Sequence, residues 1–230
     1  MKCSTGGFLL IVGVVALGAQ ANYPPPFPRE GTTKLFENDR VIVWDNTWKT
    51  GVLYPLHEHK RDMTGVFLSW GAIKLGRVDG TFSAVNSTPF AVPSTFYQAK
   101  GVIHSEQNVG EPERRGIMVE LKDPNPAPLA TRAGLPLAFP RDDAKQDRDS
   151  ERAVIWDYTW QPGKPVPSHV HDKDTVIVFV SAGRLRLTPQ DGAAETRAWK
   201  YGEVRYLPRT TVDSEEAVGG PVRAMVIELK

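Results

Sequence analysis

The chain has 230 residues and a formal net charge of +1, with 40% of residues hydrophobic and 24% charged. That is ordinary globular composition, long enough for one large domain or two small ones. Charges of both signs are interspersed, as where Arg114 and Arg115 follow Glu111 and Glu113, so no basic footprint for nucleic acid or an anionic membrane exists.

Residues 1–21 read as a secretory signal peptide. Lys2 gives a positive start, Phe8 to Leu17 is an apolar run, and Ala19-Gln20-Ala21 supplies a small-x-small cleavage pattern before Asn22. The run is shorter than the roughly 20 residues that cross a bilayer, so the mature chain is expected to be secreted or periplasmic and off the membrane. Cys3 precedes the apolar run, which argues against a lipoprotein anchor, and it is the only cysteine. The mature protein then has no disulfide, and any metal must be held by nitrogen and oxygen ligands.

Residues 22–34, with YPPPFPREG at 23–31, read as an extended arm. Short runs rich in β-branched and aromatic residues follow: VIVW, GVFLSW, TVIVFV, RLRLT and EVRYLP. Gly, Pro or Asp separates them, and no window shows a helical period, so an all-β barrel or sandwich is predicted. The chain is also a repeat. ENDRVIVWDNTW (37–48) returns as SERAVIWDYTW (150–160), and His57 and His59 return as His169 and His171 at an offset of 112. IHSEQ (103–107) returns as VDSEE (212–216) at 109, and GIMVELK (116–122) as AMVIELK (224–230) at 108. The shrinking offset fits small deletions in loops. Two units, 35–122 and 150–230, are joined by a proline-rich and charged linker, 123–149.

Alternate side chains of a strand share a face, so each His-x-His pair can project two imidazoles into a barrel interior. Four of the five histidines form those pairs and His104 is the fifth. Converging imidazoles suit a borderline divalent metal.

On these residues the chain resembles a bicupin, a two-domain member of the cupin superfamily. Gly51, His57, His59 and Gly71 match the first family motif, as do Gly163, His169, His171 and Gly183. The second motif is divided: the first half keeps Gly101, His104 and Asn108, while the second keeps Gly202 and Pro208 but has Thr210 for the glycine and Asp213 for the histidine. The resemblance implies two tandem jelly-roll barrels (double-stranded β-helices). It also implies a divalent metal, Fe(II) first, with Mn, Zn, Ni or Cu as alternatives.

Such proteins typically use three histidines and one glutamate, and here the glutamate slot holds Met63 and Thr64, or Thr175 and Val176. Asp62 and Asp174, one residue earlier, are either reoriented ligands or parts of solvated turns. The resemblance therefore implies a site of His57, His59 and His104 in the first half. In the second it implies His169, His171 and Asp213, with Glu215 or Glu216 as substitutes for Asp213, or a degenerate site without metal. An Fe(II)-type dioxygenase acting on a small organic substrate is the leading expectation, with Glu106 as acid/base or supporting group. The alternatives are non-redox decarboxylase, isomerase or lyase chemistry, and a non-catalytic metal- or small-molecule-binding cupin. Parity places Tyr54, Phe67, Phe96, Gln98 and Lys100 beside the first cavity, and Phe179, Arg184, Arg186, Arg205 and Tyr206 beside the second. The tryptophans of VWDNTW and IWDYTW read as packing anchors. A monomer or a homodimer is expected.

Overall fold

A computed structural model describes residues 22–122 and 134–230. The signal-peptide reading (1–21) and the first part of the linker (123–133) lie outside the described residues. The expected all-β architecture is what the chain forms: seventeen strands in four sheets, with no helix among the described residues.

The first half contributes β1 (Thr32–Glu37), β2 (Val41–Trp48), β3 (Leu53–Glu58), β4 (Met63–Ser69), β5 (Ile73–Gly76), β6 (Ser94–Gln98), β7 (Ile103–Asn108) and β8 (Arg114–Leu121). The second contributes β9 (Lys145–Asp149), β10 (Ala153–Trp160), β11 (Val166–Val170), β12 (Thr175–Phe179), β13 (Gly183–Pro189), β14 (Glu195–Trp199), β15 (Val204–Leu207), β16 (Val212–Ala217) and β17 (Val222–Leu229). In each half a five-stranded sheet, β1-β2-β8-β4-β6 or β15-β12-β17-β10-β9, accompanies a smaller one, β3-β7-β5 or β11-β16-β13-β14. All these pairings are antiparallel.

The central strands of the large sheets are buried on both faces, and their sequences say why. On β2, Ile42, Trp44 and Trp48 line the barrel, while Val41 and Val43 point the other way into a second apolar layer. On β17, Ala224 and Val226 face inward, and Met225, Ile227 and Leu229 join that same layer. The layer unites Val66, Leu68, Ile117 and Val119 of the first half with Ile155, Val176, Val178 and Ile227 of the second. Strands buried on both faces read as continuous apolar runs, which is why VIVW and TVIVFV lack alternation. The two halves therefore pack sheet against sheet.

Reciprocal ion pairs close the edges of this layer. Arg40 donates to Asp174 at 2.9 Å, and Arg152 donates to Asp62 at 3.2 Å, each from one half to the other. Asp174 also accepts from the Tyr206 hydroxyl at 2.7 Å, and Asp62 from the Lys100 amide at 2.9 Å. Burial pushes the Asp62 carboxyl up, but the Lys100 N–H and the Arg152 guanidinium more than offset it and hold it below its ordinary value. Neither aspartate is a metal ligand or a solvated turn residue. Both are buried links between halves.

A glycine in the left-handed region opens the turn before each His-x-His strand: Gly51 (φ 78°) and Gly163 (φ 74°). Before β7 the same conformation belongs to Gly101 (φ 89°), but before β16 it falls on Thr210 (φ 76°), where a β-branched side chain is strained. Thr210→Gly should therefore raise stability by up to about 1 kcal/mol, read by chemical denaturation. Ile155→Ala, in the shared layer, should lower it by about 2–5 kcal/mol. Because both halves own that layer, wild type and variant should unfold in one transition. Two separated transitions in the wild type would overturn the shared-core account.

Candidate metal centre

Both His-x-His pairs point into their barrels. In the first half, strand register sets His57 directly across from His104. The backbone of His59 is pinned to the β6–β7 turn by His59 N to Val102 O at 3.0 Å and Gly101 N to His59 O at 2.7 Å. The three rings pack edge to face with centroids 4.7 to 5.2 Å apart, and one ring nitrogen from each lies within 4.8 Å of the others. The His57 Nδ1–H donates to the Pro55 carbonyl at 2.9 Å, which turns its Nε2 lone pair inward, where it is buried without a partner.

Burial pushes all three imidazoles toward the neutral form, His59 down to about 3. Neutral imidazole is the ligating form, and an orphaned buried lone pair among two further nitrogens is what a cation would satisfy. The donor set fits a divalent ion.

The second half repeats the geometry with a different third group. His169 faces Asp213 across β11 and β16, and its Nδ1–H donates to Pro167 O at 2.9 Å. Asp213 Oδ1 lies 3.3 Å from His169 Nε2 and 3.6 Å from His171 Nε2. Glu215 joins the cluster, and its four ligand atoms lie within 4.8 Å of one another. Glu216, the other substitute expected for Asp213, instead pairs with Arg186 at the surface, at 2.9 Å. His171 Nε2 and Asp213 Oδ1 are buried and unpartnered. This set also fits a divalent ion, but two guanidiniums already attend it. Arg141 reaches Glu215 at 2.8 Å and His169 Nε2 at 3.3 Å, and Arg205 reaches Asp213 at 3.3 Å.

Both arms enter these sites, which the sequence reading missed. Arg29 pairs with the buried Glu106 at 2.7 Å, and Arg141 occupies the matching place against Glu215. Phe27 and Phe139 plug the two barrels beside them. The signal was present: PFPRE (26–30) returns as AFPRD (138–142) at the same offset of 112. The tryptophans do more than pack. Trp48 donates its indole N–H to Glu106 and Trp160 donates to Glu215, both at 2.8 Å, while Trp44 and Trp156 donate to Glu120 and Glu228. For Glu106, burial pushes the carboxyl up. Arg29, the neighbouring histidines and the Trp48 N–H more than reverse that, holding it at about 2. Its Oε1 stands 3.5 Å from His104 Nε2.

The halves differ in what lies beside the clusters. A cavity of about 210 Å³ adjoins His104 and Glu106, walled by Trp48, Phe67, Ile73 and Leu75. In the second half Trp199, 2% exposed, stacks on Phe179 at 4.2 Å. Leu187 is 8% exposed where its counterpart Leu75 is 39%. Of the residues expected at the first cavity, Phe67 and Gln98 line it, and Phe96 stacks on Phe67 at 4.9 Å. Tyr54 instead lies under Arg29, and Lys100 is exposed. In the second half Phe179 is core and Arg184 and Arg186 are exposed, while Arg205 and Tyr206 hold Asp213 and Asp174.

No family model matches the sequence, and no curated protein matches it. Among solved structures, AerE from Microcystis aeruginosa is similar over 91% of this chain and 99% of its own, with TM-score 0.60 and 15% identity. A cupin 2 conserved barrel domain protein from Leptotrichia buccalis is similar over 86% and 88%, with TM-score 0.56 and 10% identity. Oxalate decarboxylase from Bacillus subtilis, described with Mn(II) centres, is similar over 86% and 71%, with TM-score 0.53 and 14% identity. At these identities the likeness establishes the fold: the chain is a tandem pair of cupin barrels, as its motifs led one to expect.

The Arg29–Glu106 pair makes the arm part of the barrel. Arg29→Ala leaves a buried carboxylate without its counter-charge and should cost roughly 3–5 kcal/mol. Adding Glu106→Gln should return part of that loss, measured as a double-mutant cycle by urea denaturation. Additive single effects would show that the pair is not coupled.

Proposed function

We propose that the protein is a metal-dependent enzyme acting on a small organic molecule, with its working centre in the first half. The observation that carries this reading is three neutral imidazoles, His57, His59 and His104, converging beside an open cavity. When bound there, a divalent ion would supply electron donation or Lewis acidity.

The chain's own residues do the rest. Pro55 fixes the tautomer of His57. Trp48, Phe67 and Ile73 exclude water from one side of the cavity. Glu106, held anionic by Arg29 and Trp48, presents Oε1 beside His104, where it accepts hydrogen bonds and orients that ring. The second half, with Trp199 and Leu187 buried beside its cluster and two guanidiniums on its acids, supports the first as a packing partner.

Within this class an Fe(II)-type dioxygenase is the leading reading, because an all-imidazole set leaves an ion its full charge and several open positions for a chelating substrate and O2. Non-redox decarboxylation or isomerisation is the second reading. The ionised Glu106 beside His104 favours it, and oxalate decarboxylase is among the proteins of like fold. We further infer export, with the mature chain starting at Asn22, five residues before the Phe27 plug; the N-terminal residue of the natural product checks this.

Elemental analysis with a turnover assay tests the main reading. His57→Ala should remove the metal of the first half and most activity, whereas His169→Ala should spare activity. Turnover lost under argon supports the dioxygenase, and turnover retained under argon supports the second reading. Full activity of a His57→Ala chain lacking that metal would overturn both.

A further inference from the structure

The cavity beside His104 carries an uncompensated positive charge. Glu106 is neutralised by Arg29 at 2.7 Å. Arg114, on the same wall, makes no direct ion pair among the described residues, and the carboxylate that acts on it, Glu106, is already paired with Arg29. Its Nε and Nη2 both donate to the Gly71 carbonyl, at 3.0 and 2.6 Å, which leaves Nη1 unpaired among the described residues. Phe67 and Phe90 flank the guanidinium at 5.3 and 5.2 Å and hold it in place. A second donor lies on the cavity wall: Gln98 Nε2 is buried with no hydrogen-bond partner. An unpaired buried donor beside open space is available to a ligand's acceptor atom.

The closed half shows that this donor is particular to the open one. Strand pairing sets Trp48 opposite Arg114 and Trp160 opposite Val222. Where the barrel is filled, the matching position is apolar. Where it is open, the position is a fixed cation.

Resting on the reading of the first half as the working centre, we propose that its substrate is a monocarboxylate with a compact apolar body, its carboxylate bound by Arg114 and Gln98. A planar guanidinium edge and one amide donor match a carboxylate, which accepts two roughly coplanar hydrogen bonds. Of the remaining walls, Trp48, Phe67, Ile73 and Leu75 are apolar and accept a ring or branched chain, while Ser83 and Asn86 are polar. The cavity volume of about 210 Å³ equals roughly seven waters at liquid density, which suits a single small ring and excludes long acyl chains. Arg114 is thus the specificity-determining residue, and its placement beside Glu106 and His104 brings the rest of the substrate against the centre.

Benzoate, its neutral isostere benzamide, and oxalate are the probes, titrated into the purified chain and followed by calorimetry. The same titrations on His57→Ala remove any metal contribution in the first half. Benzoate should bind about tenfold or more tightly than benzamide in both proteins. Arg114→Met should abolish that preference while leaving benzamide affinity within about twofold, and Arg114→Lys should restore part of it. Oxalate, lacking an apolar body, should bind more weakly than benzoate to His57→Ala. Equal affinity for benzoate and benzamide in His57→Ala would overturn the proposal, and that comparison does not depend on Arg114 variants folding. Tighter binding of oxalate than benzoate there would overturn the apolar-body assignment. The metal and turnover test can fail while these preferences hold, and the reverse, so the two readings fall separately.

Discussion

The architecture depends on one constraint: each large sheet must bury two faces at once. Its inner face wraps a barrel, and its outer face, carrying Val43, Val119 and Leu121 or their counterparts Ile155, Ile227 and Leu229, is as apolar as a core. Left in water, such a face would be an extended exposed patch, so each half supplies the cover for the other. Burial of apolar area holds the halves together, and the crossed pairs Arg40–Asp174 and Arg152–Asp62 fix their relative register at the edges. A salt bridge of this kind adds specificity more than stability, since desolvating both partners cancels much of their attraction.

With the outer faces committed to each other, the inner faces were free to diverge. Glycine-opened turns, a proline carbonyl on the first histidine, an arm arginine on a buried glutamate and a tryptophan N–H on the same carboxylate recur in both barrels. The differences sit around that frame. His104 becomes Asp213, Arg114 becomes Val222, and the exposed Leu75 becomes the buried Leu187. Thr210 keeps a backbone conformation that suits glycine, so the turn is imposed by its surroundings: its N–H donates to the His171 carbonyl at 2.7 Å, as Gly101 does to His59.

Much of this was legible in the sequence because periodicity and identity carry it. The His-x-His spacing and the strand-rich repeat follow from residue order, and the resemblance to the second cupin motif implied the third group at His104 or Asp213. What could not be read depends on which residues meet across long separations. Asp62 and Asp174 stand beside the ligand slot among charged neighbours, so residue order left them as reoriented ligands or parts of solvated turns. Their partners, Arg152 and Arg40, come from the other half, 90 and 134 positions away. Arg29 and Arg141 were missed for a different reason. Proline-rich composition reads as a linker, and only the recurrence of Phe-Pro-Arg at the repeat offset marks those stretches as parts of the barrels.

Charge distinguishes the two interiors more sharply than ligand count. In the second half two carboxylates, Asp213 and Glu215, face two guanidiniums, Arg205 and Arg141, so the cluster is balanced by the chain itself. In the first, the Arg29–Glu106 pair balances internally, and the histidines contribute no charge. What remains is Arg114 at the cavity wall. A divalent ion held there by neutral ligands would add to that positive potential in a poorly solvated space, where electrostatic terms are large. A neutral molecule would leave the charge standing, and a second cation would be repelled. The proposed anion would answer the charge of Arg114 in the first barrel, whereas in the second the acids already meet their own arginines.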